Sequence, residues 1–578
     1  MSFLADRSAV SIGLGGIPSL RSGTGGLNPS LDLDFAVSKS LDPRITFTRA
    51  SEARYYDAST QAVAEQNLLT YSQQFDNAAW LVAVGTATKT ANTTTAPDGT
   101  LTADEIAATS TNATIWQTYT PVVGSPYSGS IYLKRKTGTG TVELTVNGST
   151  YSSVDLSGGG WVRATSTYTA TSGTKAIGIR IATSGDEVYV WGAQLEQRST
   201  VTAYTPTTTA AVTNYIPVLQ VAASGVARFD HNPVTRESLG LLIEEQRTNL
   251  LTYSEQFDNA AWTKSNATVT ANAVIAPDGT LTGDKLIEDS TNTVHRVSQQ
   301  PLSTVTGSTY TLTVYAKKAE RNWIILRDVS RGLSAWANLD TGTVGTVQSG
   351  LSLSVSPVGN GWYRCVLVRT AQDNSVLWGI HVATGDNVIT YTGDGYSGIY
   401  IWGAQLEAGA FATSYIPTVA SQVTRSADAA SMTGANFSSW YRADEGTLYG
   451  EYTGSAGWAL QFGVANNFND RIALGTTSGN NFVVSDSSGV NQATLGTYNG
   501  TQQTFAKVSG AYRVNDFACS VNGGVVATDT SGTVPNPIAA NIGSRNSGTP
   551  AGFLNGTIKK IAYYPVRLAN ATLQSLTA

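Results

Sequence analysis

A chain of 578 residues exceeds what one hydrophobic core organises. With 57 glycines, only 13% charged residues and many small and β-branched side chains, it favours short strands and tight turns over helices. A formal net charge of −5, with basic residues scattered along the chain, excludes the basic face that a nucleic-acid partner requires. No window approaches 18 apolar residues, which excludes a membrane-spanning helix and any expected membrane insertion.

The chain opens on MSFLADRSAVSIGLGGIPSLRSGTGGLNPS, which has no basic start followed by a long apolar core. It therefore reads as no signal peptide, and the protein is expected to be made in the cytoplasm. Residues 1–28, rich in Gly and Ser, read as an extended arm. Phe3, Leu4, Ile12, Leu14, Ile17 and Leu20 are spaced along it to add contacts to a partner. Next comes ITFTRASEARYYDAS (Ile45–Ser59), and a related composition returns in VARFDHNPVTRESLGLLIEEQRT (Val226–Thr248). Residues 29–66 and 207–247 are thus expected to form one small β unit, split by an insertion.

The insertion is one copy of a duplication. NLLTYSQQFDNAAW (Asn67–Trp80) and NLLTYSEQFDNAAW (Asn249–Trp262) agree at 13 of 14 positions. APDGTLT recurs at Ala96 and Ala276, and WGAQLE at Trp191 and Trp402. The offset grows from 180 to 211, so the second copy carries 31 extra residues. These are predicted to form a hairpin around Trp336–Gly345, because DTGT (Asp340–Thr343) signals a turn. Within the copies, residues alternate. Ile131 and Leu133 oppose Tyr132 and Lys134, while Ile177, Ile179 and Ile181 oppose Gly178 and Arg180. Likewise Leu312, Val314 and Ala316 oppose Thr313, Tyr315 and Lys317, and Trp378, Ile380 and Val382 oppose Gly379 and His381. Period two with one apolar face predicts two-sheet sandwiches over 67–206 and 248–418, each with an open polar face. From 419 to 578 another sandwich is predicted, closed by a short helix at NATLQSLT. The fold class is all-β, with tandem jelly rolls behind an extended arm.

NLLTYSEQFDNAAW, APDGTLT, GNGWYRC (Gly359–Cys365) and WGAQLE resemble the carbohydrate-binding-like jelly rolls of phage head-spike fibres and tail fibres. FTRAS and ARFDHNPVT resemble the connecting unit of those proteins, and the last ~150 residues resemble laminin-G or concanavalin-type jelly rolls. The resemblance covers nearly all of the chain past the arm. It implies a virion surface location, and a homo-oligomer (trimer or pentamer) held to capsid vertex or tail proteins by the arm. It also implies attachment to host polysaccharide, either capsule or lipopolysaccharide. The first copy departs from the pattern with GGGWVRA and without the 31 residues.

Catalytic constellations are hard to find. His231, His295 and His381 have no HxH or HExxH spacing, and Cys365 and Cys519 lie 154 residues apart in different predicted domains. No GxSxG elbow or phosphate loop appears. Sugar binding asks for aromatic faces flanked by hydrogen-bonding side chains. Trp80, Trp262, Trp191 and Trp402, shared by both copies, are expected in the core. The expected carbohydrate-binding residues are Trp116, Tyr132, Lys134 and Arg180 in the first copy, and Tyr315, Lys317, Trp323, Arg327 and His381 in the second. Trp116 is read as aligned with Arg296, and Trp323 alternates with Ile325 and Arg327. Trp161 with Arg163, and Trp362 with Arg364, read equally as ligand contacts or as Arg-over-indole packing. Pro97-Asp98-Gly99 and Pro277-Asp278-Gly279 fit tight turns. No cofactor is expected; Asp98, Asp104, Asp278 and Asp284 are weighed as a structural Ca²⁺ site. Three readings stand at this point: a glycan-binding adhesin, a structural spacer without ligand, and a polysaccharide depolymerase.

Overall fold

The computed structural model describes residues 28–299, 301–454, 457–464, 469–477, 480–496, 505–545 and 552–578. The arm expected over 1–28 lies outside the described residues except for Asn28. The described residues divide into two compact units: one holds those of 36–40 and 47–428, the other those of 28–35, 41–46 and 429–578. The described elements are nearly all antiparallel strands.

In the larger unit each repeat is a two-sheet sandwich. The front sheet of the first repeat runs Ser152–Val154, Val142–Thr145, Lys175–Ile181, Ala113–Tyr119, Leu81–Val84. Its back sheet runs Val162–Thr169, Pro126–Thr137, Glu187–Glu196, Ala103–Ala108, Ala87–Thr94. Ile115, Ile131, Leu133, Ile177, Ile179, Val188 and Val190 fill the space between them. The second repeat keeps this order. Its front sheet runs Trp262–Ser265, His295–Gln299, Trp378–Ala383, Trp323–Asp328, Leu333–Asn338, Thr343–Val347. Its back sheet runs Ala267–Val274, Gly283–Glu288, Gly398–Ala408, Thr309–Lys318, Trp362–Thr370, Leu351–Gly359. Leu333–Asn338 and Thr343–Val347 do form a hairpin through the DTGT turn. The extra chain then continues into Leu351–Gly359, so each sheet gains one edge strand.

The motifs common to both copies are mostly clasps. Asn67 donates its side-chain amide to the carbonyls of Ala193 and Thr205, both at 2.9 Å, and Asn249 does the same to Ala404 and Ile416. Gln194 and Gln405 accept the N–H of Thr205 and Ile416, each at 2.6 Å. Trp80 and Trp262 donate their indole N–H to Tyr71 and Tyr253 carbonyls at 2.9 Å. In WGAQLE the glycine is required: Gly192 and Gly403 both sit at φ 62 where the strand bulges. The repeated sequence is therefore spent on closing the sandwich, because a buried amide left unpaired would cost about 1–3 kcal/mol.

The first sandwich is carried on a long two-stranded ribbon. Ala53–Asn67 leads into it and Val212–Ala222 leads out, paired antiparallel from Asn67↔Val212 to Ala53↔Ala222. Beside the ribbon, Arg228–His231 pairs with Ser238–Ile243, and Asp230 accepts the N–H of Tyr56 at 2.8 Å. Arg49, Arg228 and Arg425 converge here on Glu244 and Asp428, with both acids and all three arginines buried.

In the smaller unit, two antiparallel sheets form a further sandwich. One contains Gly556–Tyr564, Glu445–Tyr452, Ala506–Arg513, Asp516–Val521 and Ala527–Asp529; the other contains Ala429–Thr433, Ala539–Ile542, Trp458–Gly463, Arg471–Thr477, Asn480–Ser485 and Asn491–Leu495. The helix Asn570–Thr577 buries Leu573 and Thr577 and packs Leu573 with Ala511 and Ala518. Two boundaries differ from expectation. Leu31–Asp34, expected in the split connector, pairs with Gly556–Tyr564 instead, so this sandwich takes its edge strand from near the start of the chain. At the other boundary, Val423–Arg425 pairs with Arg247–Asn249 and stays with the larger unit, which ends at Asp428.

Candidate ligand-binding faces

The nine expected binding residues do not share one face. Tyr132, Lys134, Tyr315 and Lys317 lie on back sheets; Trp116, Arg180, Trp323, Arg327 and His381 lie on front sheets.

On the back sheets the open-face expectation fails. Tyr315 is 2% exposed, packed with Tyr56, Ile216, Leu219, Trp362, Trp402 and Tyr415. The alternation was read correctly, but the ribbon covers the outer side of this sheet. Lys317 is held by Glu65 of the ribbon, which also accepts from Asn360 Nδ2 at 2.8 Å. Tyr132, its counterpart to Tyr315 in the first copy, packs edge-on to Trp191 at 5.4 Å and stays half-buried. Lys134, also half-buried, sits two residues further along that strand. The guanidinium groups of Arg163 and Arg364 lie over Tyr132 and Tyr315, at 5.4 and 5.8 Å, rather than over the indoles expected.

The acidic residues weighed for calcium do not fit a cation. Asp98 and Asp278 accept the N–H and hydroxyl of Thr100 and Thr280 within their turns. Asp104 accepts from the N–H of Phe75 and Asn92 at 2.6 and 2.9 Å, and Asp284 from Phe257 and Asn272 at 2.8 and 2.9 Å. Carboxylates surrounded by N–H donors brace loops, and oxygens so occupied make poor cation ligands. Among the described residues no group of three or more acidic, His or Cys side chains is arranged for a metal.

The front sheets are different. In the first copy Trp116 stands between Gly178 and Leu81, half-buried beside a Leu81 that is 50% exposed. A Cβ at Gly178 would come within 2.0 Å of the Ile115 carbonyl oxygen and 2.5 Å of Trp116 Cβ, so only glycine fits opposite Trp116. One row along, Arg180 donates to Glu143 at 2.5 Å and lies 3.9 Å over the ring of Tyr151. The face thus offers an indole, a phenol ring and a paired cation and anion. Glu143 and Tyr151 escaped the sequence reading, because their approach to Arg180 depends on strand order.

In the second copy Arg296, His381 and Ile325 lie in one row, and Ser298, Gly379 and Arg327 in the next. With Gly379 matched to Gly178, Trp116 corresponds to Ser298, and Arg296 to Thr114. The expected pairing of Trp116 with Arg296 is two residues out of register. The anchors Gln117 and Gln299, which clasp Thr70 and Thr252, show the shift directly. His381, expected in the open, is 0% exposed, and burial, followed by Arg296, Arg327 and His295, holds its pKa well below the ordinary histidine value. Arg327 and Trp323 remain half-buried on the same face. Trp323 packs with Ile325, Trp336, Ala383 and Ile389, so the chain near Ile389 covers one end of the sheet.

No family model matches this sequence, and no curated protein matches it. Among solved structures, the Ruminococcus gnavus IT-sialidase CBM40 bound to alpha2,3 sialyllactose is 16% identical, covering 25% of this chain and 88% of that one, with a TM-score of 0.22. The CBM22-1-CBM22-2 tandem of Paenibacillus barcinonensis Xyn10C is 14% identical over 61% of this chain and 99% of that one, at 0.19. The LG1-3 region of the laminin alpha2 chain is 10% identical over 80% and 97%, at 0.18. The class of this chain, tandem β-sandwiches of jelly-roll type, rests on its own strand order and register.

Proposed function

We propose that this chain binds saccharides through the front sheets of its two sandwiches, as the subunit of a virion surface spike or fibre attaching to host polysaccharide. The observation that carries the binding is the first front sheet. Trp116 stands opposite Gly178 and Leu81, next to the Arg180–Glu143 pair and Tyr151. An indole face takes the C–H face of a sugar, and a neighbouring ion pair takes its hydroxyls. The motif set supports the virion setting, the oligomeric state and anchoring through residues 1–28. An open face buries little ligand surface, so each site binds weakly, and duplication within one chain raises attachment through effective concentration. Among the described residues, no convergence of side chains into a catalytic cleft favours the depolymerase reading.

Trp116→Ala in the full chain tests this. Binding to host polysaccharide, followed by calorimetry, should weaken about tenfold, or about 1.4 kcal/mol. The melting temperature should change little, since the ring is half-buried. Unchanged affinity would move the site away from this face.

A further inference from the structure

The front sheet of the second sandwich carries two cations without an anion. Val297, Ile380, Leu326 and Ile324 point into the core, so Arg296, His381 and Arg327 all stand on the outer side. Arg296 is directly opposite His381, and Arg327 is directly opposite Gly379. Neither guanidinium has a carboxylate within ion-pair distance among the described residues, and the buried Nε of each has no acceptor. Two other arginines of the same sandwich are paired, Arg321 with Glu288 and Asp394, and Arg331 with Asp373.

Beneath the two arginines lies His381, fully buried, with no hydrogen-bond partner on either ring nitrogen. A Cβ at Gly379 would come within 2.9 Å of both His381 Nε2 and Val329 Cγ2, so glycine is the residue that fits beside the ring. Unpaired buried polar atoms are rare in folded proteins, and four such nitrogens around one spot call for a missing partner. That partner must carry negative charge for the guanidinium groups. A hydroxyl suits the neutral imidazole, which has one nitrogen that donates and one that accepts, because a hydroxyl can do either. An acidic sugar has both.

We infer that Arg296, Arg327 and His381 form a subsite for the oxyanion of an acidic saccharide, a sugar carboxylate or a sugar sulfate. Trp323, four residues along the strand from Arg327, lies ~13 Å away and takes the ring of a neighbouring sugar unit. The first sandwich has Thr114 and Thr145 at the matched positions, and Glu143 already neutralises its Arg180. The two copies have therefore divided the work, the first suited to neutral sugar units and the second to acidic ones. This inference rests on the saccharide-binding reading above and deepens it.

The full chain is titrated with an oligogalacturonate hexamer, its carboxyl-reduced neutral counterpart, a sulfated galactan oligomer and sodium sulfate, at low and moderate salt. At least one acidic oligomer should bind tenfold or more tightly than the neutral one, and lose that advantage as salt rises. Whichever of the two acidic oligomers binds identifies the source of the oxyanion. Arg296→Gln and Arg327→Gln should each weaken it about tenfold with the melting temperature retained. If either arginine variant fails to fold, the salt dependence and the acidic-to-neutral ratio of the parent chain decide alone. Equal affinity for acidic and neutral oligomers overturns the inference but leaves the saccharide reading standing. Failure of every saccharide to bind overturns both. Displacement of the oligomer by equimolar sodium sulfate reduces the patch to a simple anion site and overturns the saccharide part.

Discussion

Arg228→Met is expected to destabilise the larger unit by about 3–5 kcal/mol, because it strips a fully buried cation from two buried acids. Arg228 donates to Glu244 at 2.8 Å, to Asp428 at 2.5 Å and to Ser414 Oγ at 2.8 Å. Arg49 reaches Asp428 at 3.0 Å and the carbonyls of Ser51 and Ala223 at 2.8 Å. Glu244 takes both the N–H and the hydroxyl of Ser414. The chain before the first sandwich, between the two, and after the second is tied at this one cluster. Burial by itself would raise the Glu244 carboxyl, but Arg425, Arg228 and Ser414 outweigh it and bring it from its ordinary 4.5 to about 2. A depressed carboxyl contributes its full stability above the unfolded value and loses it as pH falls. The window is thus about 4.5 down to 2. Asp230 works in the opposite sense: burial pushes it from 3.8 up to about 6, so its contribution fades as pH rises through that range. Glu244→Gln should therefore be less stable than the parent at pH 7, with the gap narrowing below about 4.5. Urea midpoints measured from pH 7 to pH 3 check this, and a gap that stays constant with pH would mean that Glu244 is not held ionised by the arginines.

Tyr315→Ala should cost about 3–5 kcal/mol, as for other large buried aromatic truncations. Tyr315 meets Trp402 edge-on at 5.3 Å and Tyr415 at 6.1 Å, while Trp402 and Tyr415 lie 4.8 Å apart. Trp362 donates to the Ile275 carbonyl at 3.1 Å and the Tyr415 and Ser254 hydroxyls are hydrogen-bonded at 2.7 Å, so the ring cluster cannot easily collapse into the cavity. The first copy contains the same triad, Tyr132, Trp191 and Tyr204, with centroids at 5.4, 4.7 and 6.4 Å. There Tyr132 is only half-buried, so Tyr132→Ala should cost clearly less than Tyr315→Ala. Trp323→Ala, also from half-burial, should sit with Tyr132 in stability while weakening saccharide binding. Differential scanning calorimetry on the three single variants ranks them, and equal costs for Tyr132 and Tyr315 would show that the ribbon does not protect the second triad.

Much of the architecture was readable from local pattern. Two-residue alternation placed Ile131, Leu133, Ile177, Ile179, Val314 and Ile380 in the cores, because side-chain direction along a strand depends only on its own pleat. Duplicated motifs placed two equivalent sandwiches, since the residues that clasp a sandwich shut travel with its chain. DTGT placed a hairpin, because turn conformation is set by a few adjacent residues. What lies above an outward-facing side chain is a different matter. Tyr315 and Tyr132 have the same alternation and similar neighbours in sequence, yet Tyr56, Ile216 and Leu219 of the ribbon, 96 to 259 residues upstream, roof Tyr315, while Tyr132 stays half-open. The Trp116–Arg296 mismatch came from counting residues, where strand register follows the hydrogen bonds of Gln117 and Gln299. Arg49, Arg228, Glu244, Arg425 and Asp428 likewise meet from far apart in the chain. The same holds for Arg296, Arg327 and His381, whose shared lack of partners appears only when three strands lie side by side. By itself the sequence determined an all-β chain of duplicated sandwiches, because period and turns are local. Which faces stay open, and which charges go unpaired, was decided by tertiary structure alone, because coverage and pairing depend on residues that sequence distance does not bring together.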